Sequence, residues 1–364
     1  MRPSSNLARE HADDIRLIRS RAGVSWVICL AAVYALLPLF IGNSSFWLTS
    51  LNFAGIAAIG AIGLTLLTGF SGQVSLGHAF FLGVGAYAEA YFGADLKLPL
   101  LVWLAAAGLA GALAGAALGP FALRLRGNYL VIVTFGAVFI GLHIFRNWES
   151  LTGGLSGRAT VAPLSLGLID FLQPSAFGFS FNRDQGMFWL VWGVVAVVYL
   201  AAKNIIRTRP GRALQAIRDR DVAAALVGIN PTFYKIAAFA LSSGIAAMAG
   251  ALYASYTQYI SPQEWDLGIS IQYIAMIVMG GIIAIEGAII GALFVTLMPQ
   301  FVEQFSAFLT FSGSSGAGGG MTASVFNQIV FGLLIVLFLL FEPRGLWSFC
   351  QRIGQMIRTW PLAP

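Results

Sequence analysis

The stretch Leu67–Tyr87, LTGFSGQVSLGHAFFLGVGAY, lies inside a long apolar region yet carries Ser71, Gln73, Ser75, His78 and five glycines. Glycines let backbones approach closely or unwind. Non-helical backbone at membrane depth persists only where protein or a water-filled cavity covers it. Around this stretch the 364-residue chain is 58% hydrophobic and 10% charged, with a mean hydropathy of +0.81. Ordinary soluble domains carry roughly 25% charged residues, so a fully solvated surface is excluded. The composition predicts an all-α polytopic membrane protein.

Apolar runs that approach or reach the roughly 17–25 residues of a membrane-crossing helix recur along the chain. They fall at 24–41, 47–68, 72–93, 98–119, 129–146, 186–202, 234–257, 269–284, 287–301 and 325–341. Glu10, Asp13 and Asp14 precede the first run and no small-residue cleavage pattern follows it, so it reads as a span rather than a signal peptide. Ten spans place both termini on one side. With that side cytoplasmic, the inner segments hold 17 of the 21 Lys and Arg residues and leave Lys97, Arg146, Arg158 and Arg183 outside. This bias is the expected one, and it accounts for the net charge of +6 without nucleic acid. The predicted organisation is a cytoplasmic segment 1–23, a permease domain 24–341 with a large outer loop at 147–185, and a cytoplasmic tail 342–364.

Gly111, Gly115 and Gly119 repeat every four residues and predict one close helix–helix contact, as do Gly287 and Gly291. The eighth and ninth spans are short, and VMGGIIAIEGAIIGA joins them through Gly280 and Gly281. With the opening stretch they make two glycine-interrupted regions, one in each half, a pattern that points to an inverted repeat with a site at its interface.

Cys29 and Cys350 stand at opposite ends of the chain, so neither a disulfide framework nor a metal cluster is expected. No G-x-x-x-x-G-K-[ST] loop is present, so the chain does not hydrolyse ATP by that chemistry. H-E-x-x-H and G-x-S-x-G are absent as well. The ionisable residues at membrane depth are His78, Glu89, His143 and Glu286. An ion-coupled secondary transporter would depend on such a carboxylate, Glu89 or Glu286, and is the alternative reading.

Between the sixth and seventh spans, RPGRALQAIRDRDVAAALVGINPTFYK (209–235) opens on Pro210 and Gly211 and closes on Gly228 and Pro231. Arg212–Leu226 reads as one amphipathic helix with Leu214, Ile217, Val222 and Leu226 among its apolar positions. Such a helix suits anionic lipid or a partner's groove.

Several motifs in order resemble the bacterial branched-chain amino-acid ABC permease family, in its M-type membrane subunit. They are GFSGQVSLGHAFFLGVGAY, LRLRGNYLVIVTFG, LTGGLSG, PGRALQAIRDRDVAAALVGIN, AGALYA, ISP and FEPRGL, and they cover about residues 50 to 347. The resemblance implies partnership with a second, H-type permease, two cytoplasmic ATPases and a periplasmic binding protein in the bacterial inner membrane, with no cofactor. It implies that the helix at about 211–228 docks on an ATPase, with Arg212, Arg218, Asp219, Asp221, Ala223, Ala224 and Gly228 as coupling residues. The wider importer pattern E-A-A-x-x-x-G is met in part: Val222 stands at its Glu position. Gln73, Ser75, His78, Gly280 and Gly281 are the expected translocation-path residues. Branched-chain amino acids are the substrate implied, with urea, amides or aromatic acids also known among similar importers. Glu89 and the glycine run 313–320 depart from the family pattern.

Overall fold

The computed structural model describes residues 32–41, 45–123, 129–166, 169–171, 175–176, 179–180, 182–308, 332–333, 336, 340 and 345–359. Segment 1–23, Arg124, Arg126, the glycine run 313–320 and most of the span expected at 325–341 lie outside them.

The described residues are predominantly helical. In chain order the main helices are α1 (Ala32–Ile41), α2 (Ser45–Thr65), α3 (His78–Glu89), α4 (Leu100–Leu123), α5 (Tyr129–Asn147) and α6 (Arg183–Arg207). There follow α7 (Arg209–Asp219), α8 (Asp221–Leu226), α9 (Pro231–Thr257), α10 (Leu267–Gly280), α11 (Ile285–Phe308) and α12 (Leu346–Thr359). Among the described residues, five stretches are long and apolar enough to cross a membrane: Phe46–Phe70, Leu100–Pro120, Leu130–Asn147, Arg183–Arg207 and Pro231–Thr257. The protein is therefore a multi-pass membrane protein.

Nearly all of α2 is buried, and α9, α11 and α6 pack around it. In a bilayer lipid is as apolar as leucine, so association rests on close fit. The glycine stripe of α4 supplies that fit. A Cβ at Gly111 would overlap Ala247 and one at Gly115 would overlap Ser243, both on α9, while Gly119 meets Ile236 of the same helix.

Two expectations are corrected. The third span does not start at residue 72: residues 72–77 are non-helical and α3 begins at His78. Gly72 has φ +70°, a conformation that only glycine adopts freely, and this ends the preceding helical run. The helix expected over Arg212–Leu226 is two helices, α7 and α8, separated at Arg220, whose φ −157° and ψ 102° are extended.

At the end away from α7, the 147–185 segment is stitched to the link between α9 and α10. Strand Arg158–Ala159 pairs antiparallel with Tyr259–Ile260. Arg158 pairs with Asp95 and donates to the Leu151 carbonyl at 2.7 Å. Arg183 donates to the Tyr256 carbonyl, also at 2.7 Å.

Candidate functional site

The two glycine-interrupted regions meet. The last turn of α2 widens into a π-helical turn at Leu66–Phe70, and Gly69 lies against the loop between α10 and α11, where its Cβ would overlap the Ile282 carbonyl. That loop turns at Gly281, φ +115°, and Gly345, ahead of α12, packs on the same glycine. Gly281 N donates to the Ile277 carbonyl at 2.9 Å, and Ala284 N donates to the Gly281 carbonyl at 3.0 Å. A side chain at Gly280 would overlap the Gly287 backbone, so the two halves of the broken pair touch main chain to main chain.

The polar residues of the opening stretch satisfy the unwound backbone. Ser71 Oγ donates to the Leu67 carbonyl at 2.7 Å. Gln73 Nε2 donates to Ser71 Oγ at 2.8 Å and to the Lys235 carbonyl at 3.2 Å, which ties the break to the start of α9. Ser75 Oγ accepts from Gly77 N at 3.2 Å, Thr134 Oγ1 accepts from Leu76 N at 3.0 Å, and Ser270 Oγ accepts from Ala79 N at 2.9 Å. Gln73, Ser75 and His78 are all buried. The His78 ring lies against Tyr273, tilted by 54° with ring centroids 4.7 Å apart, and its Nε2 has no partner among the described residues.

Helix α7 seats on this junction. Gly211, Ala213, Leu214 and Ile217 form its buried face. Arg218 packs over Gly72, its Nη1 donates to the Gly69 carbonyl at 2.8 Å, and its other nitrogens bond Asp219. Arg218 thus faces the membrane helices and caps a π-helical end whose carbonyls lack helical partners. Arg212 and Asp219 are exposed, and Asp221 lies 3.6 Å from Lys235.

Helix α8 presents a different surface. Ala224 is its buried residue, whereas Ala223 and Gly228 are exposed. Val222, Leu226 and Val227 are 71%, 84% and 77% exposed, and Phe233 stands out from the first turn of α9. The extended Arg220 splits the apolar stripe: Leu214 and Ile217 turn inward, while Val222 and Leu226 turn outward. Three neighbouring large apolar side chains exposed together form the kind of patch that marks a protein or membrane contact. Sequence reading placed Val222 and Leu226 on one helix face with Leu214 and missed this patch. Its only signal was Val222 at a position where the importer pattern carries Glu.

Of the ionisable groups expected at membrane depth, Glu286 at the start of α11 pairs with Lys203 on α6, and Tyr199 donates to it at 2.9 Å. Glu89 is fully buried with neither oxygen partnered among the described residues. No group of three His, Cys, Asp or Glu suited to a metal ion occurs among the described residues.

Comparison with known proteins agrees with this architecture. A sequence model of the family described as "Branched-chain amino acid transport system / permease component" matches residues 46–339. The chain is 28% identical over 298 residues to the high-affinity branched-chain amino acid transport system permease protein LivM of Salmonella typhimurium, covering 78% of this chain. The matched region spans 66% of that relative's length, a little under two thirds. It is also 28% identical over 300 residues to LivH, a permease protein of the same system in the same organism, covering 79% of this chain and 90% of LivH. The autoinducer 2 import system permease protein LsrC of Salmonella paratyphi B is 27% identical over 222 residues, 59% of this chain and 55% of LsrC. No solved structure matches.

Proposed function

The chain belongs to the branched-chain amino acid transport system permease family, and from that premise we propose that it is a membrane permease subunit of an ATP-binding-cassette importer. It forms a translocation path for branched-chain amino acids or related small solutes in the bacterial inner membrane. A periplasmic binding protein delivers the solute, a second permease subunit of the H type completes the path, and two cytoplasmic subunits hydrolyse the ATP. The chain itself is not an enzyme. The relatives named LivM and LivH, permease proteins of one transport system, support the pairing.

In this reading ten spans, related as an inverted repeat, run through a permease domain 24–341, and both termini are cytoplasmic, along with α7 and α8. Gln73, Ser75, His78, Gly280 and Gly281 belong to the cytoplasmic end of the path. Arg212, Arg218, Asp219, Asp221, Ala223, Ala224 and Gly228 transmit ATPase movement to it. Within that set the roles divide: α8 meets the ATPase and Arg218 carries the displacement to the broken helix ends.

The observation that carries the reading is the exposed apolar face of α8 beside a helix rooted by Arg218 on Gly69. A groove on the ATPase covers Val222, Leu226 and Val227, which is the helix-in-groove mode of recognition. Labelled leucine uptake into vesicles carrying this chain with its partner subunits tests the proposal. Uptake that requires internal ATP and survives a protonophore is expected. Uptake by this chain alone, abolished by the protonophore, would overturn it.

A further inference from the structure

A cavity of about 180 Å³ opens among α2, α3, α9, α10 and α11, on the side of the broken segments away from α7. At about 30 Å³ per water it holds roughly six waters, the volume of one small solute. One wall is a continuous aromatic run: Phe53 and Tyr253 have ring centroids 5.8 Å apart, and Tyr253 and Trp265 5.5 Å. Tyr273 forms the floor. Its ring lies over Gly60, where a Cβ would approach to 2.6 Å, and is backed by His78. Beyond His78 begins the unwound segment 72–77. Ile56, Leu82 and Met276 add hydrocarbon, while Gln272 and Thr296 are the half-buried polar side chains.

We propose that this cavity is a binding station for an aliphatic amino acid, held with its side chain against Met276, Leu82 and Ile56 and its polar end toward Gln272, Thr296 and the tyrosine ring faces. The inference rests on the importer reading and names the site within it. None of the lining side chains carries a formal charge. An ammonium is attracted to Tyr and Trp faces without an acidic partner, and a carboxylate finds donors in an amide and a hydroxyl. A site built from dipoles and rings holds a zwitterion weakly, which suits passage, since a transported solute must leave as readily as it enters. Urea or a short amide would leave the hydrocarbon wall without a complement, and a site for a free anion would carry a basic residue. The floor residue Tyr273 and the His78 behind it separate the station from the junction that Arg218 caps. A displacement of α7 therefore reaches the cavity through a short chain of contacts.

The test uses the assembled complex in proteoliposomes, fed by loaded binding protein. Leucine uptake, alanine uptake and ATP hydrolysis stimulated by the binding protein are measured together. ATP-dependent uptake by the unsubstituted complex assesses the importer reading separately. Met276→Phe narrows the cavity and is expected to slow leucine about tenfold more than alanine, the discrimination that a few methylenes of pocket space produce, with stimulated ATP hydrolysis retained. Gln272→Met keeps the volume and removes the amide, and is expected to slow both solutes. Unchanged uptake in both variants, or equal losses of leucine and alanine in Met276→Phe, would overturn the proposal. Should Met276→Phe abolish stimulated hydrolysis, Thr296→Leu, which fills the cavity from a half-buried wall, decides by the same leucine-to-alanine ratio.

Discussion

Gly72 and Arg218 form a contact that is constrained twice, by backbone conformation and by space. At φ +70° a residue with a Cβ pays roughly 1–2 kcal/mol, and that Cβ would stand 2.9 Å from Arg218 Cγ. Gly72→Ala is therefore expected to lower the melting temperature of the purified protein by a few degrees and to weaken coupling between ATP hydrolysis and uptake. Arg218→Ala leaves the Gly69 carbonyl without its charged donor and produces the coupling defect with less loss of stability, because the side chain is partly exposed. Equal coupling in wild type and both variants would count against a mechanical role for the contact. Glu89 poses the opposite case. Glu89→Gln keeps the shape and removes the titratable proton, and uptake is expected to persist, still resistant to protonophore. Loss of uptake would restore the case for an ion-driven carrier. At this scale the sequence identified Gln73, Ser75 and His78 as unusual for an apolar stretch. The partners of Gln73 and His78 lay beyond its reach, because Lys235 and Tyr273 are brought near only by packing, as is Thr134, which takes the Leu76 N–H.

Helices α7 and α8 show where pattern reading succeeds and where it stops. The 3.6-residue spacing from Leu214 to Leu226 is continuous in the sequence, so periodicity alone extends one helix through it. The extended backbone at Arg220 ends it, and the apolar side chains on either side acquire opposite fates. The same limit applies at 72–77, where apolar Val74 and Leu76 keep hydropathy high across backbone that is not helical. The spans at 47–68, 98–119, 129–146, 186–202 and 234–257 were legible because length and hydropathy alone determine them. The division predicts two mutational phenotypes. Leu214→Ala opens a cavity in the contact between α7 and the membrane helices, costs about 2–5 kcal/mol, and is read as a lower melting temperature. Val222→Asp and Leu226→Asp alter exposed positions and leave melting unchanged, but are expected to abolish co-purification of the ATPase subunits. ATPase retained at wild-type stoichiometry in both aspartate variants would remove α8 from the docking surface.

Across the whole molecule, the two glycine-broken regions are distant in sequence yet form one junction. Glycine spacing announced the breaks, but their contact depends on the crossing of α2 with the α10–α11 loop, which a single sequence does not encode locally. Lys203 and Glu286 brace the junction from the side. Glu286 sits one residue into α11, just after the loop that touches Gly69, and Lys203 lies in the last turns of α6, which leads through Thr208 directly into α7. The pair therefore links the broken helix to the helix that caps it by a second route, independent of Arg218. It is about one quarter exposed on each side, so its net contribution to stability falls near the upper end of the surface range, about 1 kcal/mol. The penalty for leaving one charge unpaired exceeds that contribution. Lys203→Ala and Glu286→Ala are each expected to lower the melting temperature and to raise ATP hydrolysis in the absence of binding protein, as α7 loses one of its links to the broken helices. The double variant is expected to be no worse than the poorer single variant, because once one partner is gone the other is a liability. Melting all four forms completes the cycle. Additive losses would show that the two side chains act separately and that the pair gives α7 no second tie to the broken helices.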